Sequence, residues 1–334
     1  MGHRFEGQRS LNGTTPSGQQ VQDVEGLERV VRGDARREQA TPEDPARASA
    51  DDLEALQRIH ALGPLGRFAS LRNRGSIGRL TREGLLTLDG ALDAAGEDFM
   101  RPVSTAHDVL AVRGRYGRQR TLLQAWLSGA EASVVSGPAG SDLLAAADGS
   151  DRPQYAALSV DRGSSASLVC DWAGVRTFPA ALTEDLLLPE TTFTRRVLNG
   201  CMPVPDPSEF ARPGGAAEGE SSDDGTALDP EALAGWWGEP WFVWEVTSVR
   251  LGVNLGLISA HGAGNYVFGS DTAASERCEQ PMVRVAPVTA QAVWEALWLL
   301  THGGGEDGAA GKPVLEGTPQ RGPLVAVPAL PRNP

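Results

Sequence analysis

The stretch Pro240–Val253, PWFVWEVTSVRLGV, sets the first constraint on the fold. Successive side chains of an extended strand point to opposite faces. Trp241, Val243, Glu245, Thr247, Val249 and Leu251 then share one face, while Phe242, Trp244, Val246, Ser248 and Arg250 share the other. Both faces begin with large apolar groups and become mixed, so the start of this strand is expected to be covered on two sides. Just upstream, Trp236 and Trp237 are set apart from the strand by Pro240. Burial is the favoured placement for this pair, because tryptophan gains much from leaving water. The alternative is an exposed aromatic patch that meets a protein partner. That alternative makes Trp236 and Trp237 the partner-binding candidates of the chain.

Similar strand signals occur on both sides of one composition break. Before it, Asp108–Leu127 reads as two β-runs around RGRYGRQ, and Glu131–Ser136 adds a third. Ser141–Gly149 reads as a short helix. Pro153–Trp172 reads as a hairpin around DRGSS, and Pro179–Thr191 as a helix stopped by Pro189. Residues 203–235 are rich in proline, glycine, serine and acids, and are expected to be a solvated linker or loop. After it, Leu255–Asp271 reads as a strand pair around HGAG, and Pro281–Pro287 as another strand. Val288–Gly305 contains an amphipathic helix with Val288, Ala292, Val293, Leu297 and Leu300 on one face.

The expected fold class is therefore α+β: a mixed, mainly antiparallel sheet with helices alongside, in two pseudo-similar halves. The expected boundaries are a disordered arm over 1–50, halves at 51–202 and 236–303 flanking the linker, and a mobile tail over 304–334. Order is expected to begin at Ser49–Leu62, where Ser49 caps a helix carrying Leu53, Leu56, Ile59 and Leu62.

Charge and residue usage exclude several function classes. A net charge of −13 repels phosphate backbones and anionic lipids, which argues against nucleic acid and membrane surfaces as partners. No apolar run approaches the length of a membrane span, and the first twenty residues have no signal-peptide character. The three cysteines, Cys170, Cys201 and Cys278, are far apart and form no CxxC pair, which fits a reduced cytoplasmic protein. Lys312 is the only lysine beside 29 arginines, so lysine-dependent chemistry has no support. The five histidines show no metal-ligand spacing. No nucleophile elbow is present either. The loop SGPAGS, Ser136–Ser141, follows a strand as an anion loop would, but lacks the rest of a phosphate-binding pattern. No catalytic, cofactor or metal residue is assigned.

Three stretches resemble a known family. Arg79–Asp93, RLTREGLLTLDGALD, looks like its segment before the first strand. His107–Gly114, HDVLAVRG, is similar to that strand, and Val283–Leu300, VRVAPVTAQAVWEALWLL, to its closing strand and last helix. The family is the EspG-like chaperones of type VII (ESX) secretion in actinobacteria. It implies a cytosolic, non-enzymatic α+β protein with quasi-two-fold halves. The implied partner is the helical tip of a PE–PPE-type secretion substrate, with no cofactor. The N-terminal arm, the acidic linker and the tryptophan cluster depart from the pattern, and no binding residue carries over by position. Two other readings stand beside it: an assembly subunit of a phage-like or other large complex, and an enzyme whose site is assembled from scattered residues.

Overall fold

The covered strand at Trp241 lies near the centre of a single sheet. The computed structural model describes residues 45–64, 73–145, 155–200, 202–206, 210 and 229–302. All of these belong to one compact unit that begins at Pro45. Residues 1–44 of the expected arm, the body of the expected linker and the expected tail lie outside the described residues.

Described order begins with strand β1 (Ala46–Ala48), followed by helices α1 (Ala50–Leu62), α2 (Arg74–Arg82) and α3 (Ala94–Thr105). A meander of β2 (Asp108–Tyr116), β3 (Gln119–Ser128) and β4 (Glu131–Ser136) follows. Short helix α4 (Gly140–Ala145), strand β5 (Tyr155–Asp161) and helix α5 (Ser165–Ala173) complete the first half. The second half has the same plan: edge strand β6 (Leu186–Pro189), then helices α6 (Glu190–Asn199) and α7 (Pro230–Gly238). Its meander is β7 (Trp241–Ser248), β8 (Val253–Ala260) and β9 (Gly264–Ser270). Short helix α8 (Thr272–Cys278), strand β10 (Met282–Val288) and helix α9 (Ala290–His302) close it.

Among the described residues the ten strands form one sheet in the order β1-β5-β4-β3-β2-β7-β8-β9-β10-β6. Every pairing is antiparallel. If β1 corresponds to β6 and β2–β5 to β7–β10, the order reads the same from either edge. The halves are thus related by a quasi-two-fold axis through the β2–β7 pair.

Local chemistry explains where the elements start and turn. Ser49 and Asp52 form a reciprocal capping box at α1. The Asp52 carboxylate also takes hydrogen bonds from Arg79 Nε (2.9 Å) and Nη2 (2.7 Å), which ties α1 to α2. Burial alone would raise the Asp52 pKa, but the bonds from Arg79 and the Ser49 backbone outweigh it and bring it down to about 2. Gly117 turns β2 into β3 at φ +55°, a region that side chains with a Cβ rarely adopt.

Alternation divides the core into layers. On one face, Leu110, Val112, Leu123, Ala125 and Leu127 join Phe242, Trp244 and Val246 in a core that runs across both halves, under α5 and α9. Those two helices pack on each other. The opposite face carries a separate cluster in each half, under α1–α3 in the first and under α6 and α7 in the second. The two faces of β7 divide as its alternation requires, with Trp241 and Val243 in the second-half cluster.

Six expectations need correction. The expected arm does not reach residue 50, because Ala46–Ala48 pairs with β5 as an edge strand. The strand expected to run through Val249 and Leu251 ends at Ser248, and residues 249–252 turn β7 into β8, with Gly252 at φ +58°. Ser165–Ala173 is a helix, not the return strand of a hairpin. Its apolar residues satisfy both periods, but the buried set Ala166, Val169, Trp172 and Ala173 is helical, and Gly174 at φ +70° ends it. Cys170 therefore sits on a helix, where burial and nearby Asp171 push its thiol up to about 12. Leu186–Pro189 is a strand, not a helix, because its three consecutive leucines are all buried and leave no polar face. Pro189 then precedes α6 rather than ending a helix. The stretch expected to be linker ends in α7, capped by Asp229, whose side chain accepts the Glu231 N–H, with Pro230 in the first turn. Leu62, placed on the apolar stripe of α1, is 80% exposed.

Candidate functional site: an open cleft and its filled counterpart

The alternation that buries Leu123, Ala125 and Leu127 turns Leu122, Gln124 and Trp126 to the other face of β3, where all three are half-buried. On β2 the same face carries half-buried Val109 and Ala111 and exposed Arg113. Helix α3 lies on β3, β4 and β5, whereas α6 reaches the sheet at β2, β6 and β10. Neither group of helices covers the central strands completely.

Beside that stripe is a cleft of about 250 Å³. Leu53, Glu54 and Gln57 of α1 form one wall, and Phe99, Met100 and Val103 of α3 form another. The floor is Leu122, Gln124 and Trp126 of β3, with Val135 and Tyr155 beside them. The lining is apolar and aromatic, with two carboxamides and one carboxylate at hand. Such a surface can bury apolar side chains and orient them with a few polar contacts.

The corresponding layer of the second half is filled. Phe193 from α6 packs 5.0 Å from the Phe268 ring, and Trp236 from α7 lies 4.3 Å from the Trp241 ring. Trp237 and Tyr266 complete the cluster. Buried Arg196 sits 4.3 Å from the centre of the Trp241 ring and donates to the carbonyls of Trp237, Gly200 and Glu239.

This packing corrects the expected partner-binding candidates. Trp236 and Trp237 are 0% exposed, so they form no surface patch. The indole of Trp237 donates to the Pro203 carbonyl at 3.0 Å, and that of Trp241 to the Trp236 carbonyl at 3.0 Å. Position alone did not reveal this, because the helix that turns both indoles inward begins inside the polar stretch.

The loop Ser136–Ser141 is packed rather than open to an anion. Its Gly137 N–H is held by the Leu122 carbonyl and its Ala139 N–H by the Asp142 carboxylate. Trp172 donates to the Gly137 carbonyl, and Gly140 lies against the Phe242 ring. Among the described residues no group of three or more His, Cys, Asp or Glu is placed to hold a metal ion. Among them, too, no helix is long and apolar enough to cross a membrane.

One charged pair interrupts the apolar stripe. Arg113 of β2 faces Glu245 of β7 across the quasi-two-fold junction. Leu122 of the cleft floor is the next residue in that row on β3, and Gly256 follows on β8 with the Phe268 ring over it. Glu245 is only 9% exposed, and its Oε1 is buried with no hydrogen bond. Burial raises its pKa, and Arg113 pulls in the opposite direction. Alternation along β7 puts Glu245 on this face, but the enclosure of its carboxylate depends on residues distant in the chain.

No protein-family model matches this chain, and comparison with characterised proteins found none similar to it.

Proposed function

We propose that this is a non-enzymatic, cytoplasmic protein-binding factor that acts as a chaperone for helical substrates of a type VII-like secretion system. The observation that carries the reading is the asymmetry between the halves: the layer that aromatic side chains fill in the second half keeps an apolar cleft beside its buried cluster in the first. An enclosed core needs no such opening, whereas a protein that shields an apolar helix end needs a pre-formed place for it. The ten-stranded sheet supplies a rigid floor. The family resemblance supplies the class of substrate.

The test is co-expression with small helical secretion substrates encoded near this chain, followed by size-exclusion chromatography. The reading expects at least one to co-elute, and expects Leu53→Arg in the cleft wall to abolish co-elution while the variant keeps its melting temperature. Failure of every substrate to co-elute counts against the chaperone reading. A complex indifferent to Leu53→Arg counts against the cleft as its site.

A further inference from the structure

The partner's chemistry is legible in the pair beside the cleft. Arg113 and Glu245 are cross-strand neighbours, so their Cβ atoms stand roughly 5 Å apart. A buried carboxylate oxygen without a hydrogen bond is costly; Ser165 Oγ and Trp236 Nε1 are buried and unpaired as well, but Glu245 is the acid among them. The pair lies one and two strands from Leu122, so Glu245 is about 10 Å from the cleft floor. The cleft lining includes neither residue, so a segment seated there has to extend about 10 Å over β2 to reach exposed Arg113 and the remaining accessible edge of Glu245.

The pair is selective about what it accepts. A lone ammonium or guanidinium suits Glu245 but is repelled by Arg113 beside it. A lone carboxylate suits Arg113 but brings a second negative charge to an already enclosed one. A hydroxyl satisfies only one side well. A carboxamide offers a carbonyl oxygen to Arg113 and an NH2 to Glu245 at the same time.

Resting on the protein-binding reading above, we propose that the site recognises a segment of another protein that places apolar side chains in the α1–α3 cleft and one Asn or Gln side chain across Arg113 and Glu245. Hydrogen bonds to charged groups are the stronger kind, so the carboxamide should be worth at least about tenfold in affinity.

The probe is a set of four synthetic amphipathic helical peptides, identical except for Gln, Ala, Lys or Glu at one position bordering the apolar face. Their binding to the full chain is followed by fluorescence anisotropy. The Gln peptide is expected to bind about tenfold more tightly than the other three. Glu245→Leu and Arg113→Met should each erase that preference while all four peptides still bind, and Leu53→Arg should weaken all four. Equal binding of the four peptides, with Leu53→Arg still weakening them, overturns the carboxamide assignment and leaves the protein-binding reading standing. Preference for Lys or Glu overturns the assignment in the same way. Binding of all four no tighter than to Leu53→Arg overturns both.

Discussion

Glu245 carries a liability that stability alone does not explain. Its enclosed oxygen has no hydrogen bond, and its neighbours on the same sheet face include the Phe268 ring over Gly256. Replacing it by leucine removes the desolvated carboxylate and adds apolar contact. Glu245→Leu should therefore raise stability by about 1 kcal/mol, read as a higher urea midpoint with an unchanged slope. A fall in the midpoint would show that the carboxylate stabilises the fold. Asp52 is the opposite case. Its pKa lies below the ordinary 3.8, at about 2, so its contribution is present above pH 3.8 and is lost as pH falls toward 2. Asp52→Asn should cost about 2 kcal/mol at neutral pH. Urea unfolding at several pH values should show the gap between variant and parent closing below pH 4. Both residues are ordinary acids in the sequence, and their opposite roles come from residues distant along the chain: Arg79 bonds to Asp52, whereas burial desolvates Glu245 and Arg113 offsets that only in part.

At the scale of elements, strands with clear alternation and turn glycines were legible. The β2–β3–β4 meander and the β8–β9 pair follow directly from period-two patterns punctuated by glycine, whereas the turn between β7 and β8 lies inside a run that alternates through it. Runs that satisfy two periods were not. Ser165–Ala173 alternates as well as it winds, and Leu186–Leu188 has no polar position to report a face. For both, tertiary packing decides. The helix α7 was hidden because its Asp-Pro start resembles the polar stretch it ends. The fit of one element on another also sets a limit that sequence conceals. Gly114 in β2 leaves room for Phe242 of β7, and a Cβ there would lie 2.3 Å from the ring's Cζ. Gly114→Ala should push the two central strands apart and lower stability by about 1–3 kcal/mol, seen as a reduced melting temperature. An unchanged melting temperature would mean that Phe242 has another rotamer available.

At the scale of the whole compact unit, the described residues repeat one plan twice, with the halves joined at β2 and β7 and one helical layer shared between them. The strand meanders and the last helix announced that duplication in the sequence, whereas the helix that closes the first half reads there as a strand. The edge strands and the unequal filling of the two outer layers did not, because they depend on which side chains meet across the sheet. The second half uses Trp236, Trp237, Trp241, Phe193 and Phe268 to make a closed core. The first half leaves Leu53, Val103, Leu122 and Trp126 around an opening. Stability rests on the former and partner binding on the latter. Partner affinity measured on two variants in parallel tests this division most directly. Leu53→Arg should lose the partner without change in melting temperature. Trp236→Ala should lose about 3–5 kcal/mol of stability, while the protein that remains folded binds the partner as tightly as before. Loss of binding by Trp236→Ala at unchanged stability, together with normal binding by Leu53→Arg, would contradict the account.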